Sequence, residues 1–326
     1  MSPARRTVLA AAFAASAAFA AAASAADAPW PSKPLRIVQP YQAGGPAEAL
    51  ARMVGERMAP KLGQPVLVET RVGAGGSIAT EYGAKAAPDG YTILLAHVGP
   101  VALLPAARKD LPYQVTRDFE PVVQLVATPL LLVVRNDIPA RNVRELVAHA
   151  KAHPGQLTYG SIGVGSTSHL AGEMLNAAAG IDTVHVPFKG SAQTLVEMLG
   201  GRIALSFIGV SGSIQQARAG QIRALAVSTL KRSASLPDIP AVSETLPGFD
   251  FSSWYGLLVP AGTPKAVIAR LHQEAVAAVR APEMQEWMRS NGLDPVGSSP
   301  EEFGAFIRAE LDKWATTLKT VNFQPN

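Results

Sequence analysis

Short apolar runs alternate with amphipathic helical patterns along most of the chain. Residues 35–40 (LRIVQP) form an apolar run that predicts a β-strand, and residues 46–58 repeat apolar positions every three to four residues, as on one face of a helix. The same reading predicts further strands at 65–70, 91–97, 130–136, 157–160, 183–187, 203–208 and 222–228. Helices are predicted at 77–86, 142–153, 166–179, 191–199, 213–219, 263–279, 282–290 and 299–318. Strands and helices that alternate this closely indicate βαβ crossovers, so the predicted fold class is α/β with mainly parallel sheets.

The chain is long enough for two domains, but no long linker separates the two groups of elements. A second group begins near Thr128, and the helical tail is expected to rejoin the first group. We therefore expect two closely connected α/β lobes. Residues 27–128 together with residues 250–326 form lobe 1, and residues 129–249 form lobe 2.

The first 26 residues predict a secretory signal peptide. Arg5 and Arg6 are followed by an Ala-rich apolar stretch (7–23) and by small residues, so we expect cleavage near Ala26 and a periplasmic protein. A membrane anchor is disfavoured because the stretch is short, is dominated by Ala and is followed by no stop-transfer pattern. The paired arginines leave both the Sec and the twin-arginine export routes open.

Composition narrows the possible partners. The chain has 29 Lys and Arg residues against 25 Asp and Glu, and the basic residues are scattered rather than striped. Neither nucleic acid nor anionic lipid is therefore expected as a partner. The chain has no Cys, which excludes disulfides and thiol chemistry. Beyond the signal peptide, no apolar run is long enough to cross a bilayer.

Five predicted strand-to-helix junctions are rich in Gly, Ser and Thr. In open α/β folds, ligands bind at the carboxyl ends of the strands, where such junctions lie. Glycine lets backbone N–H groups approach a ligand closely, and the N-terminus of the following helix favours negative charge. Tight turns alone also require glycine, but five such junctions together favour an anion-binding site. The junctions span residues 41–48, 71–79, 159–170, 187–193 and 207–214.

A small carboxylate is the expected anion. The P-loop lysine of nucleotide sites is missing, and so is the G-x-G-x-x-G pattern, because Gly73 and Gly75 are followed by Ile78. Short neutral loops suit a carboxylate, since N–H and hydroxyl donors bind it without a permanent charge. The sequence therefore implies no cofactor.

Catalytic and metal-binding patterns are weak. Ser228 and Lys231 match S-x-x-K without its companion motifs, and the sequence contains no G-x-S-x-G nucleophile turn. No catalytic residues are therefore predicted. His149 and His153 have a metal-like spacing, but no acidic third ligand is adjacent, so no metal site is predicted.

Two histidines and two aromatic residues lie near the predicted binding loops. His97 ends a predicted strand at the ligand side, and His169 begins a helix beside the glycine-rich loop at 159–170. For each histidine, a ligand contact and a purely loop-anchoring role remain open. Trp254 and Tyr255 lie where the chain returns to lobe 1, which favours core or hinge packing over ligand stacking.

The loops, in this order, resemble the Bug family, the extracytoplasmic solute receptors of tripartite tricarboxylate transport systems. The likeness covers essentially the whole mature chain and is carried by G-A-G-G, A-P-D-G-Y-T and V-P-F-K-G at residues 73–76, 87–92 and 186–190. The AGGP turn (43–46) and AHVG (96–99) are most similar to the aspartate-binding branch. The resemblance implies a two-lobed Venus flytrap, the fold of periplasmic binding proteins, whose lobes close over a carboxylate.

The resemblance also implies which loops bind the ligand. In lobe 1 the implied contacts lie after the first strand and in the second glycine loop. In lobe 2 they lie at the N-terminus of the helix at 166–179 and in two later loops. The residues are Ala43, Gly44, Gly45, Gly75, Gly76, Ser77, Ser166, Thr167, Ser168, His169, Lys189, Gly190, Ile208 and Gly209; His97 is added from its place at a strand end.

This chain departs from the family pattern at two places. Relatives commonly have Thr-Asp where this chain has Ala47 and Glu48, which removes one hydroxyl donor. Ile208 and Val210 are apolar where the aspartate-binding branch is more polar, which suits an aromatic or branched monocarboxylate. An amino acid, a dicarboxylate and an aromatic acid therefore all remain candidate ligands.

The expected function is capture of a small carboxylate by a monomeric, non-enzymatic receptor that delivers it to membrane permease subunits. Three alternatives stay open: a ligand sensor for a membrane receptor, an exported carboxylate-processing enzyme, and a structural envelope protein. The first two predict a saturable ligand, and only the enzyme predicts turnover.

Overall fold

A computed structural model describes residues 30–43, 45–188 and 190–319. The predicted signal peptide (1–26) and two of the predicted ligand contacts, Gly44 and Lys189, lie outside the described residues. None of the helices within the described residues combines the length and the apolar character needed to cross a membrane.

Every strand that the hydrophobic pattern predicts is present, and most ends agree within a few residues. The exception is β4, which begins at Phe119 rather than at residue 130. Two strands, β9 and β10, were not predicted. The strands are β1 (Leu35–Gln39), β2 (Val66–Thr70), β3 (Thr92–His97), β4 (Phe119–Arg135), β5 (Thr158–Ser161), β6 (Val184–Pro187), β7 (Leu205–Gly209), β8 (Ile222–Val227), β9 (Ser252–Pro260) and β10 (Asp294–Pro295).

Every predicted helix is present as well. The helices of eight or more residues are α1 (Pro46–Leu62), α2 (Ser77–Ala84), α3 (Val143–Ala152), α4 (Thr167–Ala179), α5 (Ser191–Leu199), α6 (Val210–Arg218), α7 (Lys265–Arg280), α8 (Pro282–Ser290) and α9 (Pro300–Thr317). Shorter helical turns lie at Ala74–Gly76, Gly99–Leu103, Leu104–Ala107, Val115–Asp118 and Val242–Glu244.

The strands form one mixed sheet in the order β2-β1-β3-β9-β4-β7-β5-β6, and β8 and β10 also pair with β4. The predicted α/β class is therefore correct, but the sheet is mixed rather than mainly parallel. The βαβ crossovers give parallel pairs, in which β1 pairs with β2 and β3, and β5 pairs with β6 and β7. Every antiparallel pairing involves β4 or β9, the strands that join the two halves of the sheet.

Strand β4 belongs to both halves of the sheet. Its residues 119–129 pair with β9, whereas residues 130–135 pair with β7 and β8. The chain returns to the first half of the sheet beside this point. There the N–H of Phe251 donates to the carbonyl oxygen of Ser228, and the hydroxyl of Ser228 donates to the carbonyl oxygen of Phe251. These adjacent crossings hold the two halves side by side and leave a cleft between their loops.

The side of the sheet covered by α9 contains a buried aromatic cluster. Trp254 is fully buried, and its ring lies edge-on to Phe303. The indole N–H groups of Trp254 and Trp314 both donate to Oε2 of the buried Glu310, at 3.2 and 3.1 Å. The prediction that Trp254 packs in the core is confirmed.

Candidate functional site

A cavity of about 550 Å³ is lined by residues from both halves of the sheet. Its walls include loops that follow β1, β2, β5 and β6 and the carboxyl ends of β3 and β7. Parallel strands end at the same edge of a sheet, so their carboxyl-end loops converge on one place. This convergence brings together loops that are far apart in the sequence.

Four helix N-termini contribute to the cavity walls. They belong to α1, α4, α5 and α6. The residue immediately before each of α1, α5 and α6 is a glycine (Gly45, Gly190 and Gly209), and no described side chain caps these three helices. Uncapped N–H groups and the positive end of the helix dipole attract an anion. The four termini together make the cavity suitable for a carboxylate.

The remaining lining is neutral. Among the described residues, no Asp, Glu, Lys or Arg side chain lines the cavity. Leu103, Leu130, Phe207, Val210 and Leu293 supply an apolar surface. The arrangement thus offers neutral donors for a charged group and apolar contacts for the body of a small molecule.

The loop between β5 and α4 is held by its own serine hydroxyls. The hydroxyl of Ser166 donates to the carbonyl oxygen of Gly163 at 2.6 Å and accepts the N–H of His169 at 3.3 Å. Ser168 Oγ accepts the N–H of Ile162 at 2.9 Å and lies 3.2 Å from Ser166 Oγ. Because the proton of Ser166 is already donated to Gly163, Ser168 is the donor in that pair. Both serines line the cavity, but their hydroxyl protons are used within the loop.

Thr167 differs from these two serines. It lines the cavity at the first position of α4, and its hydroxyl has no hydrogen-bond partner among the described residues. Of the three side chains at this helix terminus, Thr167 therefore has the hydroxyl that is available to a ligand.

His169 lies behind the loop rather than on the cavity wall. Its Nδ1 accepts the N–H of Gly165 at 3.1 Å, and its ring stacks on His185 with centroids 3.9 Å apart. Burial lowers the pKa of His169, and the carboxylate of Glu173, 4.0 Å from Nε2, acts in the opposite direction. Of the two roles left open by the sequence, the geometry favours loop anchoring.

His185 completes this stack. Its ring also stacks on Tyr159 at 4.9 Å, and its Nε2 lies 2.7 Å from Ser161 Oγ. Burial lowers the pKa of His185 to about 4, with the neighbouring His169 as a smaller cause. The imidazole is therefore neutral at pH 7, and the stack supports the loop without adding charge.

His97 lies on the cavity wall and is buried. Its Nδ1 is 2.5 Å from the hydroxyl of Tyr41 and accepts the N–H of Gly99 at 3.2 Å. Its Nε2 is 2.8 Å from Ser253 Oγ. Burial lowers the pKa of His97 from 6.5 to about 3, so the ring is neutral at pH 7.

The structure brings many, but not all, of the sequence-predicted contacts to the cavity. The residues that line it are Gly45, Gly75, His97, Ser166, Thr167, Ser168, Gly190 and Gly209. Those that do not are Ala43, Gly76, Ser77, His169 and Ile208. Nothing is described for Gly44 and Lys189.

Two of these departures have clear causes. Side chains alternate between the faces of a strand, so Phe207 of β7 lines the cavity while Ile208 is buried on the opposite face. Gly76 has φ +98°, and a Cβ there would lie 3.0 Å from Pro100 and 3.1 Å from Pro40. Gly76 is therefore required by close packing of its turn.

Several lining residues were missed. Thr128 and Ser253 lie on β4 and β9 near their crossing. Tyr255, for which core or hinge packing was expected, is buried in the core and also lines the cavity. Residues 291–293 reach the wall from the turn after α8. None of these segments resembles a binding loop in the sequence, because each comes to the cavity through strand pairing or helix packing.

Comparison with known proteins identifies the class. The fold and the cleft define a solute-binding protein. Residues 50–323 match the family described as "Tripartite tricarboxylate transporter family receptor", and the chain belongs to this family. The "UPF0065 protein in tcbD-tcbE intergenic region" of Pseudomonas sp. (strain P51) is 36% identical over 91% of this chain and 89% of its own length. Protein BugT of Bordetella pertussis is 32% identical over 89% of this chain and 90% of its own length.

Solved structures agree with this assignment. The periplasmic binding protein BugD has 35% identity and a TM-score of 0.79 over 91% of this chain and all of its own. Rpa4515 of R. palustris, solved with adipate, has 32% identity and a TM-score of 0.82 over 91% of this chain and all of its own. MatC of Rhodopseudomonas palustris, solved with malate, has 29% identity and a TM-score of 0.76 over 88% and 99%.

The comparisons confirm the predicted Bug-type family and the periplasmic-binding-protein fold. They also confirm that the chain is a receptor rather than an enzyme, because the family and its solved members are solute-binding proteins.

Proposed function

We propose that this protein binds a small carboxylate in the cavity between its two halves and delivers it to a tripartite tricarboxylate-type transporter. The observation that carries the proposal is the convergence of four helix N-termini on a cavity whose described side chains are all uncharged. The adipate and malate in the structures of Rpa4515 and MatC support the choice of a carboxylate.

The ligand is expected to close the cleft. We propose that residues 27–128 with 250–326 move as one lobe and residues 129–249 as the other. The change of β4 partners at residues 129 and 130 supports a hinge at this level. A ligand that contacts both lobes stabilises only the closed state, so binding shifts the population toward closure.

We propose that the mature protein acts in the periplasm as a monomer and that its partners are membrane permease subunits. The predicted signal peptide and the family support this setting. Closure gives the permease a surface that distinguishes loaded from empty receptor.

Thermal unfolding of residues 27–326 with a panel of small carboxylates tests the proposal. The protein is first unfolded and refolded so that any bound ligand is removed. A ligand at 100 times its Kd adds about 2.7 kcal/mol to the free energy of unfolding, which raises Tm by several degrees. A flat response across the panel from folded protein contradicts the proposal.

A matched pair of variants tests the helix N-termini directly. A Cβ at Gly209 meets no atom within 4 Å, so a side chain there fits without a clash. Gly209→Asp places a carboxylate at the N-terminus of α6, whereas Gly209→Asn has nearly the same shape and no charge. We expect the Asp variant to bind a carboxylate at least roughly tenfold more weakly than the Asn variant, because like charges repel in a buried site. Equal affinities contradict a role for this terminus.

A further inference from the structure

Two hydroxyl groups that line the cavity belong to a strand rather than to a helix N-terminus. Ser253 and Tyr255 lie two residues apart on β9, so their side chains project from the same face of the strand. Both line the cavity, yet Ser253 is only 4% exposed and Tyr255 only 8%. Buried polar groups normally have hydrogen-bond partners, so each hydroxyl requires an explanation.

The hydrogen bonds of His97 determine the role of Ser253. A backbone N–H can only donate, so the bond from Gly99 makes Nδ1 of His97 an acceptor without a proton. The hydroxyl of Tyr41, on the same nitrogen, is consequently a donor. In the neutral imidazole the single proton then lies on Nε2, which donates to Ser253 Oγ at 2.8 Å. The neutral state agrees with the low pKa of about 3 that burial gives His97.

Ser253 is therefore left with a proton to donate. Its oxygen accepts from His97, and its hydroxyl proton has no acceptor among the described residues. Since the residue lines the cavity, the direction available to that proton is toward a bound molecule.

Tyr255 offers a second donor beside it. Its ring lies 4.8 Å from the ring of His97, and its hydroxyl has no hydrogen-bond partner among the described residues. Burial raises the pKa of Tyr255, so the phenol keeps its proton at neutral pH. A phenol that is more than nine-tenths buried and lines the cavity is a donor with no protein acceptor.

We propose that the hydroxyls of Ser253 and Tyr255 form a second polar subsite, which binds an oxygen acceptor of the ligand other than the carboxylate held at the helix N-termini. This inference rests on the proposed function. It assigns the ligand to acids that carry a second oxygen function, either a hydroxyl or oxo group or a second carboxylate. His97 is a positioning residue, because both of its ring nitrogens are hydrogen-bonded to protein groups and its Nε2–H fixes the direction of the Ser253 proton.

Four acids of equal chain length test the subsite: hexanoate, 6-hydroxyhexanoate, adipate and 6-aminohexanoate. Calorimetry on the refolded mature protein measures the affinity for each. We expect the hydroxy acid, the diacid or both to bind at least roughly tenfold more tightly than hexanoate. 6-Aminohexanoate should bind no more tightly than hexanoate. Its ammonium group can only donate, the subsite also offers donors, and no described lining residue is acidic. Tighter binding of 6-hydroxyhexanoate alone shows that the subsite binds an uncharged oxygen. Tighter binding of adipate alone shows that it binds a second carboxylate.

Variants that remove single hydroxyls test whether the higher affinity for the favoured acid comes from Ser253 and Tyr255. Ser253→Ala and Tyr255→Phe should each lower the affinity for the favoured acid roughly 2- to 12-fold, which is the effect of one neutral hydrogen bond. Neither variant should change the affinity for hexanoate. Two matched controls lie outside the cavity. Ser252→Ala changes the adjacent serine of β9, whose hydroxyl donates to the carbonyl of Ser253, and Tyr91→Phe changes an exposed hydroxyl near Ser32. Neither control should alter the preference among the acids.

The outcomes separate this subsite from the proposed function. Wild-type protein that binds these acids with equal affinity, or a preference that survives both hydroxyl deletions, overturns the subsite and leaves carboxylate binding intact. No binding of any acid, in this series or in the wider panel, counts against the proposed function itself. Nitrogen-15 NMR of the histidines gives a ligand-free test, in which a proton on Nδ1 of His97 rather than Nε2 overturns the assigned direction.

Discussion

Val210 packs so closely on Gly292 that a Cβ atom at Gly292 would lie 2.1 Å from Cγ1 of Val210. Gly292 belongs to the turn after α8, and Val210 is the first residue of α6. Both line the cavity. The contact therefore joins the two halves of the protein directly at the ligand site.

Gly292→Ala tests this contact. Gly292 has φ +67°, so alanine is strained there, and its methyl group also clashes with Val210. Gly248 is a matched control, since it has φ +83° but no atom within 4 Å of a Cβ. Strain at positive φ costs about 1 kcal/mol, and overpacking adds about 1–3 kcal/mol. In urea titrations Gly292→Ala should lose clearly more stability than Gly248→Ala, and only Gly292→Ala should weaken carboxylate binding. Equal losses from the two variants contradict the importance of the contact.

Thr167 and Ser168 should respond differently to the loss of their hydroxyls. Thr167→Val keeps the shape of the side chain and removes a hydroxyl without a described partner, so affinity should fall roughly 2- to 12-fold at nearly unchanged stability. Ser168→Ala leaves the N–H of Ile162 without its acceptor, which costs about 1–3 kcal/mol of stability. Calorimetry and urea titration of both variants distinguish the two roles. If Thr167→Val binds as the wild type does, this hydroxyl is not a ligand donor.

The stability of the folded protein should fall in mild acid because of His97. Its pKa is lowered from 6.5 to about 3, so below pH 6.5 the unfolded chain takes up a proton that the folded protein excludes. The contribution of the neutral His97 to the free energy of unfolding is complete above pH 6.5. It is lost as the pH falls toward 3, at up to about 1.4 kcal/mol per pH unit.

His97→Gln provides the measurement. The free energy of unfolding of the wild type should fall more steeply than that of the variant between pH 6 and pH 4, by roughly 1.4 kcal/mol per pH unit. Between pH 7.5 and pH 8.5 the two slopes should coincide, which serves as an internal control. Equal slopes in acid show that His97 is accessible to protons in the folded state.

Glu310 should be the most sensitive acidic residue of α9. Its carboxylate is buried and accepts from two indoles, and Lys313 Nζ lies 2.5 Å from its Oε1. Glu310→Ala leaves two buried indole N–H groups without their acceptor, at a cost of about 1–3 kcal/mol of stability for each, while Lys313 keeps its second carboxylate partner, Asp250. Glu301→Ala, at an exposed position of the same helix, should change stability by less than about 0.5 kcal/mol. A small loss for Glu310→Ala in urea titration contradicts this account.

Most helix and strand positions follow from local sequence pattern. At α9, Ser299 and Glu302 form a capping box with reciprocal bonds of 2.8 and 3.1 Å within the first turn of the helix. Asn142 caps α3 in the same local manner. Such signals depend on residues three or four apart, so the sequence alone is sufficient to recognise them.

The unpredicted strands depend on partners instead. Residues 119–129 and β9 are strands because they pair with each other over the centre of the sheet, more than 120 residues apart in the sequence. Their apolar residues show no period that distinguishes a connection from a strand. The same pairing turns the face of Ser253 and Tyr255 toward the cavity and places Trp254 on the opposite side.

The sequence by itself determined the α/β class, the loops that supply helix N-termini, the family, and the expectation of an uncharged anion site. The class, the loops and the uncharged site follow from local composition and spacing, which can be read without the fold, whereas the family follows from the resemblance of the loop motifs. The tertiary structure decided which hydroxyl protons are available, since Ser166 and Ser168 donate within their loop, while the protons of Ser253 and Tyr255 have no acceptor among the described residues. It also decided that His97 lies on the cavity wall and His169 behind it. The availability of a donor depends on every neighbour within hydrogen-bond distance, and those neighbours are brought together only when the sheet forms.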